Sequence, residues 1–454
     1  MSDTHPSRAS VATATNRPIP PPVTSDDSHY HRRTPAPPPR PPLVGRVETK
    51  VGIVGGGLAG LATALSLAER GVPSVLLEAQ ALGTGASGRN GGLVSAGFAA
   101  PLARIERAVG PSAATELMGL SRAAMALIRA RIARHRIACD PVDGVVIASW
   151  FDDPAGLKAE VAALNARLGT QLAFWPRERL RAAYPSPRYW DGILDPEAFH
   201  LDPLALLRGY AAAAARQGAV IHEASPALAL ERRGQRWHVR APQGELVAER
   251  LVSCQSAYPP PLVPAVARAT LPVFTYVIVT EPLRGAHADV IRAPHAVYDT
   301  RFATGYYRLL PDGRLLWGGR ISVRERPRDL TELMRRDLEL VYPQLQGVRI
   351  EQGWSGRMGF SRHKMPLIRE LAPGLWLNTG FGGHGLNTTT MGGELVAAAL
   401  AEDDRRWQLL APFAPRWVGG RLGGLAAQAI YWRHMAQDGL RAARQRRRTA
   451  RLAP

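Results

Sequence analysis

The chain has 454 residues, enough for two sizeable domains with well-buried cores. Its formal charge is +19, yet lysine occurs only at Lys50, Lys158 and Lys364, and the arginines are scattered among alanine, glycine and leucine. A specific nucleic-acid surface would gather charge in a stripe with interleaved aromatics, so none is read here. Cys139 and Cys254 lie in no metal or redox pattern, which argues against a metal site or a disulfide framework and for a reducing, cytoplasmic setting.

Residues 1–46 are rich in Pro, Ser and Thr, with Pro20-Pro21-Pro22 and a proline-rich run from Thr34 to Pro42. Such a composition buries too little apolar surface to offset ordering. A disordered tail with polyproline-like stretches is expected, dispensable to the folded body. Docking to a proline-recognising partner is the alternative. Arg32-Arg33 is followed by prolines rather than an apolar segment, a poor twin-arginine signal.

The stretch from Lys50 to Glu78 is the most informative. A short apolar strand (Val51 to Val54) leads into the turn Gly55-x-Gly57-x-x-Gly60, a helix over about 58–70, and a second apolar strand closed by Glu78. Gly55 permits the tight turn, Gly57 lets backbone approach a pyrophosphate, and Gly60 lets helix and strand pack closely. The helix start offers unpaired N–H groups and partial positive charge to phosphates, and Glu78 is placed to accept from ribose hydroxyls. Strand, turn, helix, strand and acid in register predict dinucleotide binding. The uncharged run from Val51 to Ala68 is about as long as a bilayer span. However, glycine fills its centre and Glu69-Arg70 follow, so it is not read as transmembrane. No small-residue cleavage site follows it, against a signal peptide.

A glycine-rich passage from Leu82 to Gly97 comes next, then helical patterning over about 101–135 and 155–168. The region 175–203 is broken by prolines and reads as loop with short elements, and 204–217 reads as helix. Strands are expected at Val220-Ile221-His222, Trp237-His238-Val239 and Leu251-Val252. From Leu271 the texture is β-rich, with Pro311-Asp312-Gly313 as a hairpin signal and one helix near 330–342. The chain returns with a strand at 374–378, a glycine turn and a helix over about 387–401. Its arginine-rich end, Arg441 to Arg451, reads as a solvated, disordered tail, with contact to RNA or acidic lipid as the alternative.

Three further segments specify the nucleotide. They are Gly85-Ala86-Ser87-Gly88-Arg89-Asn90-Gly91-Gly92, the strand end from Leu251 to Tyr258, and Gly380-Phe381-Gly382-Gly383-His384-Gly385 opening the late helix. This set, in this order, resembles the D-amino acid oxidase superfamily of FAD-dependent amine oxidoreductases. Within it the chain is most similar to the branch containing gamma-glutamylputrescine oxidase, with its ASGRNGG stretch, a TEPL (Thr280 to Leu283) and a G-x-x-GHG turn. The resemblance runs from about Val51 to Leu440. It implies an α/β fold: a Rossmann-like FAD-binding domain (47–98, 195–268 and 355–437) with an inserted α+β substrate domain on an antiparallel sheet (99–194 and 269–354). Residues 438–454 are left as a basic tail.

The same resemblance implies where FAD is held. Gly55, Gly57, Gly60 and Glu78 address its adenosine diphosphate. Ser87, Arg89 and Asn90 would hold the pyrophosphate and flavin edge, and Gly383, His384 and Gly385 would bring a helix end to the flavin. With no cysteine near the predicted flavin ring, FAD is expected to be noncovalent. The implied chemistry is hydride transfer from the carbon beside a neutral amine, with oxygen or another acceptor taking the electrons. That chemistry needs positioning more than a strong base, and no catalytic residue is assigned. The implied partner is a small amine or amino acid, a γ-glutamylated polyamine among the candidates.

Substrate contacts are sought on the insert. Tyr306 and Arg308 share one strand face, with Tyr307 opposite, and Trp354 and Arg357 lie where the chain crosses back. An arginine there would clamp a carboxylate, Arg308 being the first choice. His363, and Cys254-Gln255-Ser256, depart from the usual residues of the family and leave the substrate open. Some relatives place a lysine over the flavin to help oxygen react; here Lys364 is the only nearby candidate. A dehydrogenase passing electrons to a quinone or carrier, its basic tail touching a membrane, therefore stays open. So does a non-catalytic flavin-binding protein recruited through its tails.

Overall fold

The computed structural model of the protein describes residues 28–258, 262–302, 304–325 and 327–452. In chain order, helix α1 (His29–Arg33) precedes β1 (Gly45–Val54), α2 (Leu58–Ala68), β2 (Ser74–Leu77) and β3 (Leu93–Val94). Then come α3 (Leu102–Val109), α4 (Pro111–His135), β4 (Val142–Ala148), α5 (Pro154–Leu168), β5 (Ala173–Trp175), α6 (Arg177–Ala183) and β6 (Gly192–His200). They are followed by α7 (Pro203–Arg216), β7 (Val220–His222), β8 (Ala229–Arg233), β9 (Arg236–Arg240), β10 (Gly244–Ser253) and α8 (Pro264–Ala269). The β-rich stretch holds β11 (Leu271–Pro282), β12 (Ala296–Asp299), β13 (Tyr306–Leu309), β14 (Arg314–Ser322), α9 (Leu330–Val341) and β15 (Ile350–Phe360). Last are β16 (Leu367–Ala372), β17 (Leu375–Thr379), α10 (Gly385–Glu402) and α11 (Gly420–Leu452).

The first sheet runs β16-β17-β10-β1-β2-β7, with β8 and β9 added as a hairpin on β10. Its central strands β17, β10, β1, β2 and β7 are parallel. Burial on both faces explains why Val51 to Val54 and Ser74 to Leu77 are almost unbroken apolar runs. All eleven residues of α2 are buried, in a core shared with α4, α7 and α10. The approach to α10 is close: a Cβ on Gly393 would come within 2.7 Å of the Ala62 and Thr63 backbone.

The second sheet runs β15-β11-β14-β13-β12-β4-β6-β3, with β5 on β6, and is antiparallel except where β12 meets β4. Its sequence alternates instead: Tyr307, Leu315 and Trp317 point into one core cluster, and Tyr306 and Leu316 into another. Among the described residues no helix is long and apolar enough to cross a membrane.

Several expectations about boundaries are corrected. Strand β6 crosses the region read as loop; Pro196 hides it, because the strand bulges there, with Asp195 accepting from the backbone of Glu197 and Ala198 while the pairing with β4 shifts. Both β6 and β15 belong whole to the second sheet, so the boundaries at 194/195 and 354/355 each cut a strand; β3 belongs to that sheet too. Helices α3 and α4, separated by Gly110 at φ +83°, pack in the core of the first sheet rather than with the insert. The arginine-rich end is no loose tail, since α11 runs on through it and buries Ala442 in the core of the second sheet.

The largest correction concerns the proline-rich segment. Residues 1–27 lie outside the described residues, but 28–44 dock on the folded body. Tyr30 and Leu43 are each 1% exposed. The Leu43 N–H donates to Ser225 Oγ (2.8 Å) and that of Arg40 to Glu223 Oε2 (2.7 Å), and Arg208 reaches the Thr34 carbonyl (3.0 Å). Individual aromatic and backbone anchors override the composition of the segment.

Candidate functional site

The carboxyl ends of β1, β2 and β10 open on one cavity of about 1580 Å³, which extends to the second sheet. At its nucleotide end Gly55 sits at φ +109°, and a Cβ on Gly60 would fall 1.9 Å from the Gly55 carbonyl oxygen. A Cβ on Gly57 would meet only Ser87, so the space beside Gly57 is kept for something other than protein. Gly57 caps α2 without a side chain; the Ser87 hydroxyl accepts from the Leu58 N–H at 3.0 Å. Glu78 accepts from the backbone N–H groups of Gly56 (2.6 Å) and Gln80 (3.0 Å). Burial nonetheless pushes its pKa up.

The loop from Gly85 to Gly92 forms the next wall. Asn90 folds it, accepting from the Gly92 N–H (3.0 Å) and donating to the Ala86 and Ser87 carbonyls. Arg89 lines the cavity, although it is 4% exposed and donates through Nε to Thr84 O (2.8 Å). Three side chains brace this loop from behind. Tyr30 donates its hydroxyl proton to Asn90 O (2.9 Å), Arg308 donates to Gly91 O (2.8 Å) and to the Tyr30 oxygen (3.1 Å), and the Trp354 indole donates to Arg89 O (2.8 Å). Arg308 and Trp354 thus do not line the cavity, and Arg308 is no carboxylate clamp. It shares Tyr306's strand face, but two residues further along it has passed beneath the Gly91–Gly92 backbone.

Tyr306 does line the cavity, its ring lying on Gly91 and Gly318, where a Cβ would fall 2.4 and 2.1 Å from it. Arg357 lines it as well. Its guanidinium lies between the rings of Tyr258 (4.8 Å) and Phe274 (5.0 Å), with Nη2 3.3 Å from Glu325 and a buried Nε without a partner. The sequence reading missed Arg320, held at φ +56° and paired to Asp337 at 2.5 and 2.8 Å. It also missed Tyr258 and Tyr298, which line the same space. The pair Gly318-Gly319 before Arg320 was the available signal for a backbone turned toward the cavity.

Gly383, His384 and Gly385 close the far wall, and α10 starts there with no side-chain cap. His384 Nε2 lies 3.1 Å from Ser95 O and 3.2 Å from Ala96 O. Two carbonyl acceptors require the Nε2–H form, and burial lowers the ring's pKa. Lys364 and His363 are absent from the cavity wall: Lys364 lies over the Phe302 ring at 5.2 Å, and His363 spans Met365 N and Ala414 O. Cys254 touches the nucleotide end beside Gly55, while Cys139 is buried in the helical core. Among the described residues no cluster of three or more His, Cys, Asp or Glu could hold a metal.

This cavity suits FAD. It is roomy and mostly apolar-walled, it receives two helix N-termini, and at Gly57 it leaves room that a side chain would fill. The comparisons agree. Residues 50–399 match the family model described as FAD dependent oxidoreductase. The chain is 33% identical over 381 residues to the gamma-glutamylputrescine oxidoreductase of Escherichia coli strain K12, covering 83% of this chain and 89% of that one. It is 31% identical over 393 residues to the probable oxidoreductase OrdL of Haemophilus influenzae, covering 84% and 90%. The structure superposes on glycine oxidase from Bacillus cereus with a TM-score of 0.67 at 19% identity, over 80% of this chain and 98% of that one. The chain belongs to the DAO family of FAD-dependent oxidoreductases.

Proposed function

We propose that this enzyme oxidises the C–N bond of a small amine or amino acid bearing a carboxylate, a γ-glutamylated amine being one such compound. The observation behind this reading is Arg357. It is the cavity-lining arginine with a buried, unpartnered Nε, and its acid partner is held at only 3.3 Å. Arg320 is already matched by Asp337. FAD, when bound, supplies the acceptor for the hydride that leaves the carbon next to the nitrogen. The tyrosines 258, 298 and 306 wall the pocket and exclude water, their phenols held protonated because burial raises the pKa of each. His384 is committed to two carbonyls as a neutral donor. His384 thus offers no base to a substrate amine, which enters the pocket already neutral, having released its proton to bulk solvent.

The reading is tested by anaerobic bleaching of the flavin across acidic and neutral amines. Arg357→Met should lower kcat/KM for acidic substrates by about 30- to 150-fold, on the order of 2–3 kcal/mol for a desolvated charge-assisted pair. Neutral amines should change little. Equal losses on both classes would remove Arg357 as the anchor. A dehydrogenase on the same scaffold is favoured by one observation: among the described residues no lysine lines the cavity. Peroxide formed at the rate of turnover in air would decide for the oxidase.

A further inference from the structure

Helix α11 turns two different faces to its surroundings. The inner one is specific: Gln428 accepts from Val323 N (3.1 Å), Asp438 accepts from Phe302 N (2.8 Å), and Tyr431 and Ala442 are buried. On the outer one Leu422, Leu425, Trp432 and Leu440 recur at helical spacing and are 59–74% exposed. Alanines 426, 429 and 436 fill the positions between them. Large exposed side chains are normally scattered singly over a surface, and six of the ten found among the described residues fall on α11 or just before it, at Trp417.

Charge narrows what can cover this stripe. Residues 420–454 contain eight arginines and a single acid, Asp438, which is engaged on the inner face. Arg433 and Arg444 are exposed at the borders of the stripe. A second copy laid on the same face would bring uncompensated arginines together with no carboxylate between them. A layer of anionic headgroups over hydrocarbon satisfies both the leucine–tryptophan stripe and the arginines that border it. We propose that α11 docks the enzyme on an anionic phospholipid surface. The helix lies in the plane of the headgroups, with Leu422, Leu425, Trp432 and Leu440 at the acyl boundary. It does not span the bilayer.

The test uses the full-length, FAD-loaded protein in flotation with vesicles of phosphatidylcholine alone or mixed with phosphatidylglycerol. Binding is expected on the mixed vesicles only, falling as salt is raised. The double variant Leu425→Glu, Trp432→Glu should bind at least tenfold more weakly with its flavin content and anaerobic bleaching by amine unchanged, since both side chains point away from the fold. No binding of the unaltered protein to mixed vesicles would overturn the proposal, as would equal binding by the double variant. So would light scattering that shows a dimer which Trp432→Glu converts to monomer, because the face would then belong to a second copy.

Discussion

Tyr30 offers the sharpest test of how the cavity-lining loop from Gly85 to Gly92 is held. Its ring is 1% exposed and meets Trp354 edge-on at 6.0 Å. Its hydroxyl donates to Asn90 O and accepts from Arg308. Burial pushes the phenol up to about 12, so it stays protonated as the donor this geometry needs. Tyr30→Phe keeps the ring and leaves both partners short of one hydrogen bond in a dry site. Each such loss costs about 1–3 kcal/mol; because Arg308 keeps Gly91, about 2 kcal/mol in total is expected. Tyr30→Ala also removes the ring, a change of about 3–5 kcal/mol in a rigid core. Here α1 can peel away, so the loss is limited to the free energy with which residues 28–34 dock. The assay is FAD affinity of the apoprotein by flavin fluorescence, beside the Tm of apoprotein and holoprotein. If about 1.4 kcal/mol of the Phe loss falls on loop order, the Kd for FAD rises about tenfold, and deletion of residues 1–34 should match Tyr30→Ala. Unchanged Kd and Tm in Tyr30→Ala would refute the docking of this segment and restore a dispensable tail.

The Gly57→Leu protein should fold yet be purified with less than about a tenth of the normal flavin, because its side chain fills space the protein leaves open; undiminished flavin absorbance would remove Gly57 from the cleft. Acid precipitation should leave the flavin in the supernatant, since burial pushes both thiols, Cys139 and Cys254, up to about 12 and keeps them unreactive; colour in the pellet would contradict this. His200 is buried, with Nε2 2.9 Å from Pro294 O, and burial lowers its pKa from 6.5 to about 4. The unfolded chain therefore takes up this proton first, and stability is lost as pH falls from about 6.5 to about 4, by about 3 kcal/mol. Urea melts across that window should show the slope, and His200→Gln should flatten it; an unchanged slope would assign it to other groups.

What could be read from sequence followed how local the signal was. The strand, glycine turn and helix from Val51 to Ala68 form a contiguous unit whose chemistry is written in adjacent residues, and Glu78 closes it. Ser87, Asn90 and His384, which line the cavity, sit in contiguous motifs for the same reason. Arg308 was misplaced because strand alternation gives a face but no depth: a two-residue step of about 6.6 Å carries it past the cavity floor. Arg320 went unnoticed because its left-handed backbone follows from packing around β14, not from any preference of arginine. Tyr30 was invisible inside a proline-rich composition, since one buried ring decides the docking of a whole segment. The outer face of α11 was masked by averaging, because its arginines and alanines look unpatterned until the packing fixes which side is inside.

The order of strands in the first sheet bears on how the enzyme is born. β1 is made well before its neighbour β10, which follows the whole first part of the insert, and α10 comes later still. The Tyr30–Arg308 contact closes over 278 residues. A nascent chain thus carries its dinucleotide turn beside a strand with one edge unpaired from the end of β1 at Val54 until β10 (Gly244–Ser253) is made, and over that interval it lacks both the second helix end and the brace behind the loop. A cavity built from segments this far apart is complete only once α10 is made, and the interval between β1 and β10 is when the β1 edge is open to the wrong partner.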